Sequence, residues 1–275
     1  MESYILLHNN FYQKHSGILL QNAKNLLEKL QIPFSGVEKV ALEDKFLPNI
    51  CPLDFYGGIL KILLSAKKEN KKILLCDSQS LLIFSNFFKK LYTDVEFKNE
   101  LKKKLGENEA NFNLMELEDS YVALFEIIFS ALSKVNFKKQ RWQGFSCALM
   151  LDRQLESKFK NGLMLELASV SGLRILPFFK ESYGYLLQSN ENLAYKMGAL
   201  DYYEMVDCGV DFIATPNLAN FALFDGCAKK LQKAAGRDDL EVPLLTLPQV
   251  ILALFESSSA ESLGFNLHTI TPKML

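Results

Sequence analysis

A surplus of charge of one sign is missing from this chain: 31 basic residues face 32 acidic ones across 275 positions, for a net charge of −1. That balance sets up no overall field for drawing in nucleic acid or an anionic membrane, so no nucleic-acid partner is expected. Local runs such as Lys102-Lys103-Lys104, or Lys67-Lys68 followed by Lys71-Lys72, read as solvated helix faces and loop ends. Long hydrophobic runs are also lacking. Tyr121–Leu132 is interrupted by Glu126 and Leu244–Phe255 by Pro248, both well short of the roughly 18 residues that span a bilayer. Tyr4–Leu7 is too short for an export core and no basic segment precedes it. The expectation is a cytoplasmic protein with no transmembrane segment. Five cysteines, an odd count without close pairing, fit a reducing compartment rather than a disulfide framework. His8, His15 and His268 are the only histidines and show no metal-ligand spacing to one another or to acids. Zinc chemistry and His-based hydrolysis are thereby set aside. Gly57-Gly58 and Gly144 stand isolated, so neither common phosphate-binding glycine loop is present.

What the chain does have is a strand-helix rhythm, in a length that needs no staple to fold. Tyr4–Leu7 is strand-like. Leu19, Leu20, Ala23, Leu26, Leu27 and Leu30 form a helical stripe that Pro33 stops. An irregular segment runs through Pro48 and Pro52. Phe55–Ala66 reads as a helix, Lys71–Cys76 as a buried strand and Ser78–Tyr92 as a strongly apolar helix. Asp94–Leu105 and Glu116–Val135 are further helix candidates, separated by the polar loop Gly106–Asn113, with Glu116, Glu118 and Asp119 read as capping residues. The second half repeats the rhythm: strand Gly144–Met150, helix Asn161–Ser171 closed by Gly172, strand Arg174–Phe178, and helix Asn190–Asp207 with Gly209 past its end. Strand Asp211–Thr215, helix Leu218–Ala235 closed by Gly236, strand Val242–Leu247 and a helix opening on Pro248 complete it. Trp142, ahead of a strand, reads as a packing anchor. Strands separated by helices predict an α/β fold with parallel sheets.

The chain is organised around Asp211–Phe221, a short buried strand running into a helix. The carboxyl end of a parallel strand is where α/β sheets usually bind ligands, yet this junction offers only Thr215, Asn217 and Asn220. Residues Ile73–Phe84 can be laid on Ile213–Phe224 at an offset of 140, which places Asp77 on Asn217 and Ser80 on Asn220. The predicted architecture is two related α/β repeats, 1–139 and 140–275, each with a small, mostly parallel sheet flanked by helices. Asp77 and Asn217 have a direct use as helix N-caps.

The run from Val206 to Asn220, continuing to Gly236 and then Val242–Gln249, resembles the end of the cysteine-rich (CCG) domain of the HdrB-type polypeptide of heterodisulfide reductase. The same domain occurs in the E-type polypeptide of succinate dehydrogenase, in glycolate oxidase iron–sulfur subunits and in lactate-utilisation proteins. That family carries two repeats, each with a cysteine, a Cys-Cys-Gly and a Cys-x-x-Cys, whose thiolates hold iron–sulfur clusters. The resemblance implies what has been lost here. The second Cys-x-x-Cys falls on Asn217 and Asn220, and the Cys-Cys-Gly on Ser182-Tyr183-Gly184, keeping only the glycine. The opening cysteine falls on Cys147, with 34 residues before Ser182. In the first repeat the terminal pair falls on Asp77 and Ser80, or on Cys76 and Gln79 in a register slipped by one. Cys51 lies near the Cys-Cys, and the opening position holds only His8, Asn9 and Asn10.

Clusters need several thiolates, and neutral Asn, Ser or Tyr groups do not replace them. The expected cofactor complement is therefore none, with no metal. The resemblance implies a non-catalytic interaction or scaffold protein that partners a redox complex. The alternative is an oxidoreductase subunit using Cys51, Cys76 and Cys147 as a thiol site or a partial cluster site. A third reading is a small-molecule site in the crevice at Thr215–Asn220. Cys208 and Cys227 are assigned no role.

Overall fold

The computed structural model describes residues 3–43, 45–106, 112–132, 134–135, 137, 141–156, 163–238 and 241–273. In chain order the elements are β1 (Tyr4–Asn9), α1 (Gln13–Lys29), β2 (Phe34–Val40), α2 (Leu47–Ile50), α3 (Pro52–Lys68), β3 (Lys72–Leu75), α4 (Ser78–Thr93) and α5 (Val95–Leu105). Then follow α6 (Leu114–Glu118), β4 (Tyr121–Ala123), α7 (Leu124–Leu132), β5 (Ser146–Asp152), α8 (Leu163–Ser171), β6 (Arg174–Lys180) and α9 (Glu191–Asp207). The chain continues through β7 (Phe212–Thr215), α10 (Leu218–Phe224), α11 (Ala228–Ala235), β8 (Leu244–Thr246) and α12 (Leu247–Leu252).

Two compact units result. One comprises Met1–Phe11 and Gln31–Glu126, the other Tyr12–Leu30 and Ile127–Leu275. These do not follow the 1–139 and 140–275 division along the whole chain, because α1 and most of α7 group with the second unit. For α1 the cause is its buried face: Ile18 belongs to the same apolar cluster as Met150, Ile213, Phe221 and Phe224.

The first unit is a parallel sheet of order β2-β1-β3-β4, the second a parallel sheet of order β6-β5-β7-β8. The order is the same in both, and two pairs of equivalent strands start 140 residues apart: Lys72 with Phe212, and Phe34 with Arg174. In each sheet the two central strands read as near-continuous apolar runs, as strands covered on both faces must. In the first unit Leu6, Leu7, Leu74, Phe84, Phe87 and Phe88 are buried, with Tyr56 stacked on Phe87 and Phe88 on Tyr121.

Local chemistry sets the helix ends. Asp77, Asp94, Asn190 and Asn217 each accept a backbone N–H three residues on. Thr246 and Gln249 form a reciprocal capping box. Gly172, Gly209 and Gly236 follow helices with positive φ. Trp142 is fully buried and donates its ring N–H to Val250 O at 3.0 Å.

Four expectations need correction. Segment 34–40, which shows no regular pattern in the sequence, is β2, an edge strand whose half-exposed, mixed residues hide its period. Glu116–Val135 is not one helix, since Tyr121–Ala123 pair with Ile73–Leu75 as β4. Leu218–Ala235 is broken between α10 and α11 at Asp225, whose carboxylate is drawn into the interior. The cap of α6 is Asn113, not an acidic residue. Residues 161 and 162 of the predicted helix Asn161–Ser171 lie outside the described residues.

Candidate functional site

In the second sheet the chain leaves β5 toward β6 on one side and returns to β7 on the other, so the switch point lies at the carboxyl ends of β5 and β7. Asp152 ends β5 there and is 4% exposed. Its Oδ1 accepts a hydrogen bond from Asn217 Nδ2 at 2.7 Å. The other end of the same carboxamide is used as well: Asn217 Oδ1 accepts Asn220 N at 2.9 Å and so caps α10, while Asn217 N donates to Thr215 Oγ1 at 3.1 Å. The junction is thus tied off by its own side chains. Asn217→Ala is expected to lose both the cap and the charge-assisted bond, costing about 2 kcal/mol by denaturant titration. Asn217→Asp, which keeps the cap but faces Asp152 with like charge, should not rescue.

Ser182 follows β6 at the same end, where Lys180 is in register with Asp152. Its Oγ is buried and makes no hydrogen bond among the described residues, and neither does the carboxamide of the fully buried Asn220. Gly184 lies against α10 so closely that a Cβ built on it would stand 2.2 Å from Ala219 O. Backbone contact therefore demands glycine at this position. Tyr183 beside it is half-buried, and burial pushes its hydroxyl pKa up.

The first sheet shows the same economy. Matching the registers around β3 and β7 puts Asn9 in the place of Asp152. Asn9 is 2% exposed and bonds Leu42 twice, giving Nδ2–H to its carbonyl and accepting its N–H. Asp77 accepts from Ser80 N at 2.9 Å and from Ser80 Oγ at 2.6 Å. Cys76, buried just past β3, directs its thiol to Leu74 O, and Cys51, half-buried between α2 and α3, directs its own to Leu47 O.

Cys147 lies near the start of β5, at the other end of the strand from Asp152. It pairs with Phe212 at the start of β7, three residues and about 10 Å short of the strand end at Thr215. The structure brings Ser182, Asp152, Thr215, Asn217 and Asn220 to one sheet end and leaves Cys147 inside the strand. Burial raises its thiol pKa far above the ordinary value, against an opposing hydrogen bond from Ala214. Cys51 and Cys76 belong to the first unit and Cys147 to the second. An iron–sulfur cluster does not fit this donor set: the second sheet end offers hydroxyl, amide and one carboxylate group but no thiolate. Among the described residues no three His, Cys, Asp or Glu side chains are placed to hold a metal ion.

One constellation escaped sequence reasoning. Asp225, 1% exposed, receives His15 Nε2 on Oδ2 and His268 Nδ1 on Oδ1, both at 3.0 Å, and the Thr269 N–H at 3.2 Å. Gln249 fixes the second imidazole. Its Oε1 accepts Thr246 N, so its amide group faces Leu263 O and His268 Nε2, each at 2.8 Å. His268 Nε2 is then an acceptor, and the ring proton sits on Nδ1, toward Asp225. His15 and His268 are 253 positions apart, and no local spacing signals their meeting.

With this geometry in hand, residues 183–269 match the family model of the HdrB-like C-terminal domain. This part of the chain is HdrB-like. The HdrB-like stretch begins at Tyr183, beside Gly184, and takes in α9, β7, α10, α11, β8 and α12 as well as Asp225 and His268. No curated protein matches the chain. Among solved structures, the crystal structure of a hypothetical protein from Helicobacter pylori shares the fold with a TM-score of 0.82 at 22% identity. That similarity covers 100% of this chain and 53% of the other, so the chain spans about half that protein's length. Two four-stranded parallel sheets flanked by helices make this an α/β protein. Among the described residues no helix is long and apolar enough to cross a membrane.

Proposed function

We propose that this chain is a cysteine-depleted relative of the HdrB-type polypeptide of heterodisulfide reductase that acts as a non-catalytic, cytoplasmic scaffold or interaction partner of a redox complex. The observation that carries this reading is the bond between Asp152 and Asn217 at 2.7 Å. At the switch point Asp152, Thr215 and the Asn217 side chain are engaged with one another or with the helix cap, leaving only the Ser182 hydroxyl and the Asn220 carboxamide unpaired among the described residues. The HdrB-like domain supports an oxidoreductase-related subunit, and the lack of thiolates at this sheet end favours a structural part within it.

Anaerobic reconstitution with iron and sulfide tests this directly. The expected product carries no stoichiometric iron or acid-labile sulfide and no visible absorbance, and a stoichiometric cluster would overturn the reading. The thiol-based alternative is separated from it by alkylation kinetics. Cys208 is exposed and serves as the internal reference, whereas Cys147 is 2% exposed with its thiol pKa raised. Native protein should label at Cys208 first and at Cys147 only in denaturant. Rapid native labelling of Cys147 or Cys76 would reinstate the thiol reading.

A further inference from the structure

We draw no further inference here: the strongest candidate, the exposed apolar patch of Phe46, Leu47 and Ile50 at α2 in the first unit, carries nothing because nothing in the structure shows what covers it.

Discussion

Asp225→Ala is expected to destabilise the protein by about 3–5 kcal/mol, the cost of removing one partner from a buried, hydrogen-bonded charge group. Three donors converge on this carboxylate, from His15, His268 and Thr269, and its removal leaves two buried imidazoles without their acceptor. In a chain of this size that loss corresponds to a fall in Tm on the order of 10 °C, measurable by calorimetry. Asp225→Asn should lose less, since its carboxamide oxygen still accepts one hydrogen bond.

The same residue sets a pH signature. Burial alone would raise the Asp225 carboxyl pKa, but the bonds from His15 and His268 outweigh it and hold it at about 2, below the ordinary 3.8. A lowered carboxyl contributes stability that is complete above the unfolded value and disappears as pH falls through the folded one. Asp225 therefore contributes on the order of 2 kcal/mol above pH 3.8, lost between there and pH 2. Denaturant titrations across that window should show a shallower acid loss in Asp225→Asn. An unchanged slope would mean that another carboxylate governs it.

Gly184→Ala is the second large effect. A Cβ there would lie 2.2 Å from Ala219 O, 2.4 Å from its carbonyl carbon and 2.7 Å from its Cβ. Two of those atoms are helix backbone and cannot swing aside as a side-chain tip can. Strand-end segment and helix α10 must separate, at a cost of about 3 kcal/mol or more, and the Tyr12 hydroxyl bond to Gly184 O at 3.1 Å is strained with them. Gly17→Ala is the control. It sits on the exposed side of α1 with nothing within 4 Å, so alanine should stabilise by about 0.5–1 kcal/mol. If both substitutions proved equally mild, the tight apposition of Gly184 and α10 would be wrong.

Much of the fold was legible because it is written in local terms. Val242–Leu247 and Lys71–Cys76 show as apolar runs because buried parallel strands have no polar face to alternate with. Asp77 and Asn217 read as caps because an Asx side chain before an apolar helix has one cheap use. Strands β2 and β4 were hidden for opposite reasons. The first lies at an edge and mixes charged with apolar residues, and the second is three residues long inside a run that continues as helix. The candidate site was legible only in part. The family resemblance pointed to Asn217, Asn220, Ser182 and Cys147; the first three lie toward the carboxyl end of the second sheet, Cys147 lies near the start of β5, and Asp152, which no motif marks, ends that strand.

By itself, then, the sequence determined the alternation of strands and helices, the match of Ile73–Phe84 to Ile213–Phe224 at an offset of 140, and the small number of cysteines, since each is a property of neighbouring residues or of a count. Only the tertiary structure decided that α1 joins the second unit, that Asp225 gathers two histidines 253 positions apart, and that Asp152 closes onto Asn217. The last two are pairings of buried polar groups, and the first is a helix face finding its apolar cluster. Their energy depends on which partner lies in contact after the chain has folded, and nothing in the local sequence records that distance.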